Sequence, residues 1–150
     1  MASAIFRERF YDLLLFSDLT ENELHKKTGL PLKSVYNWTR GITYPNPNSL
    51  LILGDFFEIS LDYILGLDDR EIGGKKTELT MEKAQANLLA HLNNYIKEKG
   101  ITKYRLAKLL DTRQTALTRW FNENTMPGTE KLILISKLLD KPLDELLGRR

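Results

Sequence analysis

The chain has 150 residues, 22 Lys+Arg against 20 Asp+Glu, and a formal net charge of +2, a balance that excludes a uniformly basic nucleic-acid glue. Apolar residues at 42% and charged residues at 28% describe a globular chain, not a disordered one. Cysteine is absent and the two histidines, His25 and His91, lie far apart, so disulfides, thiol nucleophiles and a Cys/His metal site are not expected. No apolar run reaches the ~18 residues of a membrane span, and the start MASAIFRERF lacks a signal-peptide core. The expectation is a cytoplasmic protein without cofactor or metal.

In chain order, Phe6, Phe10, Leu13 and Leu14 form a stripe of helical period, predicting an opening helix. Thr20 followed three residues later by Glu23 is a capping-box signature that starts a second helix, and Gly29 suits the left-handed residue that ends it. A third helix is predicted over 32–40, a breaker-rich loop over 41–47, a fourth helix over 49–57 and a fifth over 60–65, capped by Ser60 and stopped by Gly66. Residues 67–79 (LDDREIGGKKTEL) are polar, hold the Gly73-Gly74 pair and show no helical period, so they read as a linker. Asp68, Asp69 and Glu71 in it are expected to serve solvation only. Thr80 and Thr102 are expected to cap helices further on, and Asp111 takes the place of Gly29, because Asp tolerates the left-handed region better than most side chains.

The two flanks of the linker are copies. Shifted by 82 positions without a gap, Thr20, Leu24, Lys26, Trp38, Pro45, Leu50, Leu61, Asp62 and Gly66 fall on Thr102, Leu106, Lys108, Trp120, Pro127, Leu132, Leu143, Asp144 and Gly148. The expected organisation is therefore a first domain over 1–66, a linker over 67–79 and a second domain over 80–150, each a small all-α bundle of five helices. The copies differ in charge. Residues 1–72 hold 7 Lys+Arg and 11 Asp+Glu, net −4, and residues 73–150 hold 15 and 9, net +6.

Segments 19–41 and 101–123 both resemble the helix–turn–helix of the Cro/cI-type (XRE-like) repressor family, on Leu19, Thr20, Leu24, Gly29, Val35 and Trp38 and on Ile101, Thr102, Leu106, Asp111, Leu117 and Trp120. SLDYILG (60–66) and PLDELLG (142–148) resemble the end of that family's five-helix domain. The resemblance implies an all-α fold of two tandem lambda-repressor-like domains. It also implies a sequence-specific, repressor-like regulator of transcription whose partner is double-stranded DNA. Its base-reading positions map to Gln114, Thr115 and Arg119, with Arg113 and Thr118 beside them, Asn122 and Thr125 toward phosphate, and Lys103 at the start of the second helix. Gln pairs with adenine and Arg with guanine at two edges each, which is why these residue types suit the positions.

In the first copy the same positions hold Leu32, Lys33 and Asn37, with Ser34, Tyr36 and Arg40 nearby. Glu21 stands where the second copy has Lys103, and Pro31 where a polar cap is usual. A carboxylate facing phosphate is repelled, so the second domain is expected to dominate DNA contact. The rival expectation is a protein–protein adaptor or antitoxin-like module whose residues 1–66 bind a partner or form a homodimer. Trp38, Trp120, Phe56 and Phe57 read as core, His25 and His91 as surface or packing residues, and Lys26, Lys27 and Lys108 equally as a solvated face or a contact surface. No phosphate loop or catalytic triad can be assembled, so an enzyme is not expected.

Overall fold

A computed structural model describes residues 1–70 and 77–150. Its regular elements among these residues are ten α-helices, divided between two compact units, 1–77 and 78–150. Glu71 and the Gly73-Gly74 pair lie outside the described residues.

The first unit holds α1 (Ala4–Phe16), α2 (Glu21–Thr28), α3 (Leu32–Thr39), α4 (Pro47–Phe57) and α5 (Leu61–Ile64). Side-chain caps set most of the starts. Ser3 accepts from the Phe6 amide, Thr20 and Glu23 close the predicted capping box, and Ser60 accepts from the Tyr63 amide. Helix α4 starts two residues earlier than its apolar period indicates. Asn46 caps it through the Ser49 amide at 2.8 Å, and Pro47 occupies the first helical position, where its missing N–H costs nothing. Phe6, Phe10, Leu24, Val35, Trp38, Leu50, Leu53, Leu61 and Ile64 are buried. The Phe10 ring meets Trp38 edge-on at 5.8 Å and Phe6 at 5.9 Å, so the aromatic residues of α1 and α3 form the centre of this core. Phe56 departs from expectation. It lies 38% exposed on α4, resting edge-on against Phe57, which is half-buried.

Residues 67–69 are not a free spacer. Arg9 of α1 donates to the carbonyl oxygens of Tyr63 and Asp68 and pairs with the Asp69 carboxylate at 3.1 Å. Thr77 donates to the Asp55 carboxylate through its backbone N–H at 3.4 Å and its hydroxyl at 3.2 Å. Asp69, expected to serve solvation, keeps a fully exposed carboxylate, so its pair with Arg9 adds little and the backbone bonds of Arg9 do the holding.

The second unit holds α6 (Met81–Lys99), α7 (Lys103–Leu109), α8 (Gln114–Asn122), α9 (Thr129–Leu139) and α10 (Leu143–Leu147). Helices α7 to α10 each begin 82 positions after α2 to α5. Burial keeps the same register. Phe6, Phe10, Leu24, Val35, Trp38, Leu50 and Leu61 answer to Leu88, Leu92, Leu106, Leu117, Trp120, Leu132 and Leu143, all buried. Each such side chain contributes about 1.5–3 kcal/mol of apolar transfer. A buried ion pair, Arg149 Nη1 to Asp144 Oδ1 at 2.6 Å, closes the end of α10. Gln85 of α6 donates to the Trp120 carbonyl and Asn87 to the Leu147 carbonyl, tying α6 to both α8 and α10.

Candidate nucleic-acid interface

In the second unit, α7 begins at the Thr102 cap, whose hydroxyl accepts from the Arg105 amide at 3.1 Å. Asp111, at φ 50, makes the left-handed turn that Gly29 makes at φ 76 in the first unit. Its amide donates to the Lys108 carbonyl and the Thr112 amide to that of Ala107, so the chain reverses within a few residues. Lys131 of α9 reaches over this corner and donates to the carbonyls of Leu110 and Asp111 at 3.1 and 2.6 Å. A cation on the last carbonyls of α7 complements the negative end of that helix. In the first unit the same corner is held differently. His25 donates from Nδ1 to the Leu30 carbonyl at 2.5 Å, and the Thr28 hydroxyl accepts from the Leu30 amide.

Helix α8 is amphipathic. Leu117 and Trp120 are buried, and Gln114, Thr115, Thr118, Arg119 and Asn122 share the exposed face, with Arg113 exposed at the cap position. Arg113 makes no side-chain cap bond to the first turn of α8. Thr118 spends its hydroxyl proton on the Gln114 carbonyl at 2.9 Å, which leaves its methyl and acceptor lone pairs on the surface. Arg119 sits 4.0 Å from Glu123, both exposed, a loose pair that an incoming acceptor displaces. Lys103 is exposed at the first position of α7, and its Nζ lies 4.4 Å from the Phe121 ring centre. That cation–π contact places the lysine beside the last turn of α8. Sequence reasoning missed Phe121 and Lys131, since both act across elements.

The corresponding surface of the first unit is built from other chemistry. Lys33 and Arg40 are exposed, Leu32, Ser34 and Asn37 are half-buried, and the Arg40 guanidinium lies 5.5 Å over the Tyr36 ring. Glu21 holds the first position of α2, where a carboxylate favours the helix start. Beside it the Glu23 carboxyl is held below its ordinary value by the hydrogen bonds from Thr20, backbone first and hydroxyl second, with Lys27 and Lys26 adding to the effect. Summed charge barely separates the two segments, +2 over 19–41 and +3 over 101–123. Placement separates them, since the first position of α2 holds the carboxylate of Glu21 and the first position of α7 the cation of Lys103.

Among the described residues no helix is long and apolar enough to cross a membrane, and no group of three or more His, Asp or Glu side chains is placed to hold a metal ion. No curated protein and no solved structure matches the chain. Residues 92–146, from within α6 to within α10, match the family described as Helix-turn-helix. That match supports a DNA-binding, transcription-regulator type of helix–turn–helix for the second unit.

Proposed function

We propose that the protein is a sequence-specific, repressor-like DNA-binding regulator with two tandem helix–turn–helix domains, of which the C-terminal one dominates DNA contact. The observation that carries this reading is the exposed row Gln114, Thr115, Thr118, Arg119 and Asn122 on α8, with Lys103 held against its far end by Phe121. A short helix of this kind enters the major groove while the helix before it crosses the backbone. Gln114 then reads adenine and Arg119 guanine, Thr115 and the Thr118 methyl meet a thymine methyl, and Lys103, Arg113 and Asn122 contact phosphate. The shared register of helix starts and buried positions supports a tandem pair. Lys33, Ser34, Asn37 and Arg40 form the first domain's weaker counterpart, set back by Glu21 and by an apolar residue, Leu32, at a base-reading position.

The test is selection of bound duplexes from a random pool by the full chain. A preferred sequence lost in a Gln114→Ala/Arg119→Ala double variant supports the reading. Failure to enrich any sequence overturns it.

A further inference from the structure

Helix α1 carries apolar residues on its core face and also on its outer face, where they flank the exposed acids Glu8 and Asp12. One carries Phe6, Phe10 and Leu14 into the core. The other carries Ile5, Tyr11, Leu15 and Phe16, which are 46%, 50%, 58% and 86% exposed. At 100° per residue these four, with Ala4, Glu8 and Asp12 among them, form one stripe over three turns, about 17 Å long. A helix with apolar residues on both sides suits two partners, and among the described residues of the first unit only one side is covered. The equivalent face of α6 carries Ala90, Asn93, Asn94, Lys97 and Glu98, all polar or small. The same fold thus presents a polar outer face in one unit and an apolar one in the other. That comparison rests on the tandem reading, whereas the exposed stripe does not.

Charge selects the occupant. Glu8 and Asp12 sit inside the stripe, both exposed, and Asp18 is exposed just past its end. A second copy docked face to face brings two sets of these carboxylates into one interface, and an anionic membrane meets the same repulsion. The remedy is a partner that brings cations. One edge of the stripe opens into a cleft of about 470 Å³ lined by Ala4, Arg7, Glu8, Tyr11, Thr39 and Arg40, a recess for a side chain from above. Arg7 and Arg40 stand on its wall, so the partner's cations belong on the Asp12 side. We propose that the outer face of α1 docks a cationic amphipathic helix of another protein, its apolar side on Tyr11, Leu15 and Phe16 and its lysines or arginines on Asp12. A three-turn stripe matches the length over which a helix presents anchors at i, i+4 and i+7.

The probe is a fluorescein-labelled 18-residue leucine/lysine peptide with one apolar face, titrated with the full chain and followed by anisotropy. Saturable binding is expected, weakened at least tenfold by Phe16→Ser, by Leu15→Ser and by Asp12→Lys, with circular dichroism confirming that each variant folds. Glu58→Lys, at an exposed acid closing α4, should change it less than twofold, and a leucine/glutamate peptide should not bind. Equal binding by the stripe variants overturns the proposal. So does a dimer that Phe16→Ser dissociates in sedimentation, which assigns the face to a second copy, or vesicle binding that Phe16→Ser abolishes. Duplex DNA binding by the same variants should stay within twofold of the parent. A chain that binds the peptide through the stripe but no duplex removes the DNA reading and leaves this one standing.

Discussion

Lys103 and Phe121 stand eighteen positions apart, yet the ring fixes where the ammonium points. Lys103→Ala should reduce the slope of log affinity against log salt by about one, as expected for one phosphate contact. Phe121→Leu keeps the charge but frees the side chain, so it should weaken binding while leaving that slope nearly unchanged. Salt titrations of the two variants separate charge from placement. Arg119→Ala should cost about 1–3 kcal/mol of DNA binding and relax preference at one base pair, read by competition with single-base variants of a selected site. An equal loss on every sequence reassigns Arg119 to phosphate. Deeper in the second unit, Arg149→Ala removes the partner of a buried carboxylate and should cost about 3 kcal/mol of stability, a large share for so small a unit.

At the scale of elements, the turn between the two helices is made by a left-handed residue in both units, and its chemistry differs. A Cβ added to Gly29 meets nothing within 4 Å, so Gly29→Ala should cost only the backbone term, about 1–2 kcal/mol. Gly148, at φ 87, is a different case. Its added Cβ would overlap the Asn87 amide that bonds the Leu147 carbonyl, so Gly148→Ala should cost more than Gly29→Ala in urea melts. The capping box of α2 carries a pH dependence whose sign follows from Glu23. Its folded carboxyl titrates below the ordinary 4.5, so its contribution is complete above that value. It is lost as pH falls through the lowered folded value. Hydrogen exchange of the α2 amides should show Glu23→Gln less protective than the parent at neutral pH, with the difference closing in acid.

For the whole molecule, a net charge of +2 conceals −4 over residues 1–72 and +6 over residues 73–150. If the second unit dominates DNA contact, Gln114→Ala/Arg119→Ala in the full chain should lower duplex affinity at least tenfold. Lys33→Ala/Asn37→Ala should change it less than threefold. Comparable losses from both pairs make the two units equal readers. Unequal readers also select a non-palindromic site, because palindromy in such sites mirrors the symmetry of the heads that read them.

Local signals made the fold legible without coordinates. Thr20, Thr102 and Ser60 cap helices through amides three residues away, Gly29 and Asp111 set a single backbone angle, and period alone put Trp38 and Trp120 inside. The gapless shift of 82 also aligned the starts of α2 to α5 with those of α7 to α10, and the family resemblance pointed to the residues of the exposed face of α8. Asn46-Pro47 was an equally local start signal, hidden by reading the apolar period alone. What the tertiary structure decided are contacts between distant elements: Lys103 on Phe121, Lys131 over the α7 corner, and Arg9 drawing Asp68 and Asp69 back to the first unit. Period could not decide the outer face of α1 or the exposure of Phe56, because an apolar residue reads as core whether or not anything lies against it. Sequence by itself thus determined the elements, which depend on interactions within a few residues. Only packing decided which apolar faces are covered and where each charge is held.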